Sequence, residues 1–381
     1  MTQWIRTSEE IARLADSLRG SRALAIDTES DSLHHHREKV CLIQLASDAG
    51  HAVLIDPLAG GDLAPLGALF ADPAVAKVLH GADYDVTTLK RDFGFTFRGL
   101  FDTMIAARML AMKEIGLAAV AAAELGVTLS KDSQKDDWSR RPLTPTQERY
   151  ALADVEHLLR LRDRLVEKLV AAGRLDWVRE ESDAVAELVA ARKERDPEAW
   201  QKVKGARQLS RRQQAVLRAA YGWREAIARE TDIPSFKIMS GETLLAIAAK
   251  PVANMEELKA IRGAVPTRFA SRAGALLSAI QEAAALPDDA LPRMPHTPRP
   301  IVTDATRRRI EELKKWRTAE AARLGLDVSV VLPQRLLEQV AEKPAARAED
   351  LLRIEAFRRW RVAAFGESLA AAASAPLPAI K

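Results

Sequence analysis

The chain has 381 residues, 48% of them hydrophobic and 29% charged, a length that suggests two or three domains each able to bury a core. No stretch approaches the roughly 18 uninterrupted apolar residues of a membrane helix, and the single cysteine, Cys41, excludes an internal disulfide and a cysteine-based zinc site. A formal net charge of +4 with a pI near 9.1 permits a polyanionic partner without requiring one.

The opening segment is amphipathic and charged, without the apolar core of a signal peptide, so a cytoplasmic location is expected. Four runs of strand length follow: "RALAID", "KVCLIQLA", "HAVLID" and "AKVLHG". The middle two are separated only by the turn-like "SDAG", and Cys41 reads as a buried small hydrophobe within the second. Helical patterns appear around Leu63 to Phe70 and over "YDVTTLKRDFG", where Gly94 is the expected stop. Three neighbouring strands on short turns, then strand and helix in alternation, imply an α/β domain with a mixed sheet flanked by helices.

Helices dominate from about Asp102. "LTPTQERYALADVEHLLRLRDRLVEKLV" is read as helix throughout, opening on Thr144 as N-cap, Pro145 at the first helical position and Gln147 closing a capping box. A further amphipathic helix is expected from about Leu175 to Arg195, and "KERDPEAWQKVKGARQLS" reads as a linker. Between Arg192 and Glu230 eleven Lys or Arg stand against five Asp or Glu, so positive charge gathers after the first domain. The five prolines of "LPDDALPRMPHTPRP" separate two helical units of similar skeleton, each with a Trp-Arg pair, Trp223-Arg224 and Trp316-Arg317, on a basic helix. The boundaries expected are a first domain over 1–195, a linker over 196–208, helical units over 209–286 and 303–381, and a Pro-rich linker over 287–302.

Two kinds of metal ligand compete within one short stretch, "AIDTESDSLHHHREK". His34, His35 and His36 are consecutive, which makes convergence on one ion difficult; a solvated loop is the simpler expectation, with a touch on substrate the sharper one. Asp27 and Glu29 are two apart on a strand and so share a face. Asp85 falls in the first turn of the helix after the fourth strand, where a dipole partner is the bland reading, as an N-cap is for Asp83. Tyr150 and Asp154 are four apart on one helix face. Each signal is weak alone. Together Asp27, Glu29, Asp85 and Asp154 form the all-oxygen set that two hard divalent cations need for phosphoryl transfer.

"IDTES", "HGADYDVTTL" and "YALADVEHLL" resemble the three successive motifs of the DEDD exonuclease superfamily. Tyr150, four residues before Asp154, matches its DEDDy branch, while Arg149 stands where the DEDDh branch has a His. The segment between the second and third motifs is similar to the ribonuclease D family, especially at Trp138, Arg141, Pro142, Leu143 and Gln147. "LRAAYGWREAIARETDIPSFKIMSGETLLAIAAKPVANMEELKAIRG" resembles an HRDC domain, and the last unit looks like a divergent second copy.

The resemblance implies a ribonuclease H-like mixed sheet followed by two small all-α HRDC domains. It also implies a 3′-5′ exoribonuclease that uses two Mg²⁺ or Mn²⁺ ions and releases nucleoside 5′-monophosphates, with tRNA precursors as the RNA. In that reading Tyr150 orients the attacking water, because a phenol with a pKa of about 10 is a poor base at neutral pH. Gln44 and His80 are candidate contacts for the terminal nucleotide, as are Trp138 and Arg141 at family positions. The basic helices around Arg207 to Arg229 and Arg307 to Arg317 are candidate phosphate contacts, whereas Trp223, Trp316 and Trp360 are expected in cores. A monomer is the default expectation, and the absence of G-x-x-x-x-G-K-[ST] argues against a nucleotide cofactor. Two rivals remain at this point: a DNA-directed exonuclease of the same branch, and an inactive RNA-binding scaffold.

Overall fold

The computed structural model describes residues 2–50, 52–130, 132–190, 196–250, 252–295 and 303–376. Residues 191–195, at the end of one expected helix, and 296–302, in the Pro-rich linker, lie outside the described residues. Contacts divide the chain into two units: Met1–Glu29, Val40–Ala191 and Pro300–Lys381 form the first, and Ser30–Lys39 with Arg192–Arg299 the second.

In the first unit the chain runs through β1 (Gln3–Ile5), α1 (Ser8–Ser17), β2 (Ala23–Ser30), β3 (Val40–Ser47), β4 (Ala52–Ile55), α2 (Ala64–Ala71), β5 (Ala76–Leu79), α3 (Asp83–Phe93) and β6 (Leu100–Asp102). The helices α4 (Thr103–Met109), α5 (Leu117–Leu125), α6 (Pro145–Glu156), α7 (Leu158–Ala171) and α8 (Leu175–Ala186) follow. The strands make one six-stranded sheet in the order β1-β4-β3-β2-β5-β6, parallel at β1/β4, β2/β5 and β5/β6 and antiparallel at β3/β4. The mixed sheet is therefore the expected one, with three-residue strands at both edges that the sequence pattern does not announce. Every residue of β3 is buried, as befits a strand covered on both faces, and Cys41 lies within it.

Two expected helices differ. The stretch after Thr144 breaks at His157 into α6 and α7, because its halves pack on different partners. Ala151 of α6 joins Cys41, Leu42 and Leu54 of the sheet, whereas Leu158, Leu161, Leu165 and Leu169 of α7, at spacings of three and four, enter another core. Each of those leucines is at most 1% exposed, worth about 1.5–3 kcal/mol apiece on burial. The helix expected from Leu175 to Arg195 ends at Ala186.

The second unit contains α9 (Arg211–Thr231), α10 (Ser235–Ile238), α11 (Gly241–Ala249), α12 (Met255–Ala260) and α13 (Ala273–Ala284). Ser210 opens α9 with a capping box to Gln213, and Leu217, Ile227, Leu244, Ile247 and Leu276 fill the core. Within residues 196–208, read as a linker, Trp200 and Ala206 are wholly buried in that core.

The remaining helices, α14 (Asp304–Leu324), α15 (Val328–Val331), α16 (Gln334–Glu342) and α17 (Arg359–Ser374), belong to the first unit. They repeat the plan of α9 to α11. In the first copy Arg224 donates to the Met239 carbonyl at 3.2 Å, and in the second Arg317 donates to the Leu332 carbonyl at 3.0 Å. These four helices are fastened to α8. Trp177 stacks on Trp360 with ring centroids 4.4 Å apart, and Glu180 accepts from the Arg359 and Trp360 amides at 2.6 and 2.8 Å. Arg358, at the N-cap of α17, has no oxygen with which to cap it, so a carboxylate from another helix does so.

Candidate active site

β2 starts as the buried run Ala23, Leu24, Ala25, Ile26 and then turns polar at Asp27 and Glu29, which strand alternation puts on one face. β5 runs parallel beside it, with Ala25 opposite Val78, so both strands finish at the same edge of the sheet. The turn after β5 delivers α3 to that edge, the usual place for a site in such a sheet. Gly81 in that turn has φ +72°, a conformation that a side chain strains, and a Cβ there would run into Met104 Cε. Asp102 locks the turn by accepting from the Gly81 and Ala82 amides at 3.0 and 2.8 Å, and it also starts α4 through the Met104 amide at 2.8 Å. Asp85, in the first turn of α3, is 6% exposed and accepts a hydrogen bond from the Thr28 hydroxyl.

α6 brings the last two groups. Its capping box is as expected: Thr144 Oγ1 accepts from the Gln147 amide at 3.3 Å and Gln147 Oε1 from the Thr144 amide at 2.9 Å. One turn separates Tyr150 from Asp154, and the phenol hydrogen-bonds the carboxylate. Asp27, Glu29 and Asp154 each offer a carboxylate oxygen, and these oxygens lie within 4.8 Å of one another.

The electrostatics of the cluster follow from burial without countercharge. Among the described residues no Lys or Arg forms an ion pair with any of the four carboxylates. Burial, then Asp85, Asp154 and Glu29, pushes Asp27 well above the usual carboxylate range. Burial followed by Asp154, Asp85 and Asp136 raises Glu29 to about 9. Burial raises Asp85 to about 7 against the opposing Thr28 hydrogen bond, and Asp154 to about 7 against that from Tyr150. Four such groups cannot all ionise unless a cation joins them. The donor set is all hard oxygen, so it fits Mg²⁺ or Mn²⁺ and suits neither a soft metal nor an imidazole-dominated site. Burial and then the carboxylates of Asp154, Glu29 and Asp27 push the Tyr150 phenol upward, so it stays protonated and acts as a donor.

The other expected contacts fare differently. His80 Nδ1 lies 2.9 Å from Thr103 Oγ1, and burial lowers its pKa against the pull of Asp102, which keeps the ring neutral. Gln44 is wholly enclosed in β3 with neither amide atom partnered, rather than on a solvated strand face. Arg141 and Trp138 are both engaged internally. Arg141 spends all five donor directions internally, on Asp56 (2.7 Å twice) and on the carbonyls of Cys41, Trp138 and Arg140 (2.7, 2.8 and 2.8 Å). Trp138 is 1% exposed and packs 6.0 Å from the Tyr150 ring.

The three histidines form no metal cluster with other ligands among the described residues. Their loop is not simply solvated either: His35 Nδ1 lies 2.7 Å from Asp232 Oδ2. Several basic-helix arginines assigned to phosphate are also internal braces. Arg211 donates to the Leu291 carbonyl, Arg212 to the carbonyls of Ala284 and Leu286 at and beyond the end of α13, and Arg309 to the carbonyls of Ala341 and Ala373. The tryptophans pack as expected, with Trp360 4% exposed and Trp223 and Trp316 against their cores. Sequence reasoning missed Thr28, Asp102 and Asp136. Only Asp102 had a local signal, the Asp-Thr pair opening a helix, and that signal says cap rather than brace.

The 3′-5′ exonuclease family matches residues 2–170, and the HRDC domain matches 213–280 and 306–372. Ribonuclease D of Acidiphilium cryptum is 33% identical over 364 residues, spanning 95% of this chain and 90% of its own. That of Gluconacetobacter diazotrophicus is 37% identical over 293 residues, 76% of this chain and 74% of its own. Among solved structures, Escherichia coli RNase D, described as an exoribonuclease involved in structured RNA processing, superposes with a TM-score of 0.70 at 28% identity, covering 98% of each chain.

Proposed function

Because the chain belongs to the ribonuclease D family and is a 3′-5′ exoribonuclease whose exonuclease domain uses divalent metal ions, we propose that Asp27, Glu29, Asp85 and Asp154 hold two of them, Mg²⁺ or Mn²⁺. The observation that carries this is the convergence of three half-buried carboxylates beside the buried Asp85, with no Lys or Arg ion-paired to any of the four among the described residues. When bound, the ions supply Lewis-acid activation of water and neutralise charge on the scissile phosphate and leaving oxygen.

The chain's own residues do the rest. Tyr150, protonated, donating to Asp154 and braced from behind by Trp138, accepts a hydrogen bond from the attacking water and so orients it in line with the last phosphodiester. Thr28 holds Asp85 in one orientation, and Tyr150 does the same for Asp154. Hydrolysis of the terminal P–O3′ bond releases a nucleoside 5′-monophosphate and leaves a new 3′-hydroxyl. His80, neutral at the end of β5, is the group we assign to the terminal nucleotide.

We extend to this chain the structured RNA named for the E. coli relative, with tRNA precursors as the substrate, acting as a monomer in the cytoplasm; no described helix is long and apolar enough to cross a membrane. The proposed domains are the exonuclease over 1–195 and HRDC units over 209–286 and 303–381, joined by 196–208 and 287–302. A pair of RNA oligonucleotides labelled at opposite ends tests the reading. The 3′ label should appear first as a mononucleotide, the 5′-labelled strand should shorten stepwise, and EDTA should stop both. An internal cut, or cleavage that survives EDTA, contradicts it, and matched DNA oligonucleotides measure sugar preference.

A further inference from the structure

The loop that follows the metal-binding strand is held by one residue of the first HRDC unit. β2 ends at Ser30, one residue past Glu29. The loop then closes its neck, where the Asp31 carboxylate accepts from the Lys39 amide at 2.8 Å and the Asp31 carbonyl from the His34 and His35 amides at 2.8 and 2.9 Å. Beyond the neck Asp232 takes hold: Oδ2 lies 2.7 Å from His35 Nδ1, Oδ1 accepts from the His36 and Arg37 amides at 3.1 Å each, and the carbonyl accepts from the His36 amide at 3.3 Å.

Asp232 caps α9 in the left-handed region, φ 49° and ψ 40°. That position ordinarily belongs to Gly or Asn, since a Cβ there costs about 1 kcal/mol. An Asp at such a place is explained by its carboxylate, which satisfies two loop amides and one imidazole at once. The clamp leaves Arg37 exposed, eight residues downstream of Glu29, with its backbone fixed and its guanidinium without an ion pair among the described residues.

We propose that Asp232 is a positioning residue of the exonuclease, which orders loop 31–39 so that Arg37 meets a phosphate of the RNA body. The inference rests on the exonuclease assignment. An ordered loop binds without the entropy cost of fixing it at each encounter, so the effect falls on substrate binding and leaves the chemical step alone.

The test is steady-state kinetics of the full chain on an RNA of about a dozen nucleotides. D232A is expected to raise KM about five- to tenfold with kcat within twofold of wild type, and R37A to do the same. D232A/R37A should be no worse than either single variant, because both remove one contact. D232N, which keeps an acceptor for the two amides and tolerates the left-handed backbone, should restore most of the loss. H35A, lying in the loop, perturbs the clamp without touching α9 and should raise KM about twofold, a guard against misfolded D232A. An unchanged KM in D232A and H35A, or additive losses in the double variant, overturns the proposal. A wild-type chain without nuclease activity instead overturns the exonuclease reading on which it rests.

Discussion

Charge drawn wholly or partly out of solvent occurs in two opposite states in this molecule. Arg141 and Arg361 are charges with partners: Arg361, 4% exposed, donates to Glu181 at 3.2 Å and to the Val331 and Val330 carbonyls at 3.1 and 3.3 Å, and lies 4.2 Å over the Trp360 ring. Asp27, Glu29, Asp85 and Asp154 are the reverse, charges of one sign crowded together with hydroxyls and each other for company. A satisfied buried charge holds a fold together, whereas an unsatisfied cluster costs stability and persists because a ligand completes it. Residue type and burial alone do not separate the two; partners do.

The comparison breaks if variants in the two regions behave alike. Asp154→Asn should lower kcat/KM about 10²–10³-fold or more while the fold is at least as stable as wild type. Near-normal turnover in that variant removes Asp154 from the site. Arg141→Ala should do the opposite, costing about 3 kcal/mol in urea denaturation, the low end for breaking a buried pair because a quarter of the Arg141 side chain still meets solvent. Below its midpoint its specific activity should stay close to wild type; lost activity without lost stability would move Arg141 into the site. Tyr150→Phe sharpens the division within the site. Its kcat should fall about 10- to 100-fold with KM held, since the ring keeps its packing on Trp138 and only the orienting hydroxyl is gone. The smallest effect belongs to Arg229, exposed and without an ion pair among the described residues. Its Ala variant should reduce the slope of log affinity against log salt by about 1 and leave kcat unchanged.

The sheet and most helices were legible because they rest on local signals. The apolar runs of β2 to β5, the Thr144 capping box and the Gly94 stop each act within a few residues of themselves. The carboxylate set was legible for another reason: strand alternation and helical spacing fix Asp27 with Glu29 and Tyr150 with Asp154 before any tertiary contact forms. What escaped is long-range. The break at His157 exists because α6 and α7 serve different cores, and a propensity pattern that is helical on both sides gives no hint of it. Arg141 matched the family segment, yet its five donors are spent on groups as distant in sequence as Cys41 and Asp56. The histidines looked like ligands or solvent because Asp232 lies nearly two hundred residues away, and only the folded chain pairs it with His35.

The central claim is that the four carboxylates form a cation site whose charges are uncompensated in its absence. Their folded pKa values are raised, to about 9 for Glu29 and about 7 for Asp85 and Asp154, from ordinary values near 4. Above pH 4 the metal-free folded state therefore holds protons that the unfolded chain has lost, and stability falls as pH rises from about 4 to about 9. A thermal melting series over pH 5 to 9, in EDTA and in Mn²⁺, for wild type and Asp27→Asn measures this directly. The account predicts a wild-type Tm in EDTA that declines with pH and is restored by Mn²⁺ most strongly at high pH. Asp27→Asn should decline less and gain little from the ion. Equal Mn²⁺ shifts in the two proteins, or a metal-free Tm that rises across that pH range, would contradict it.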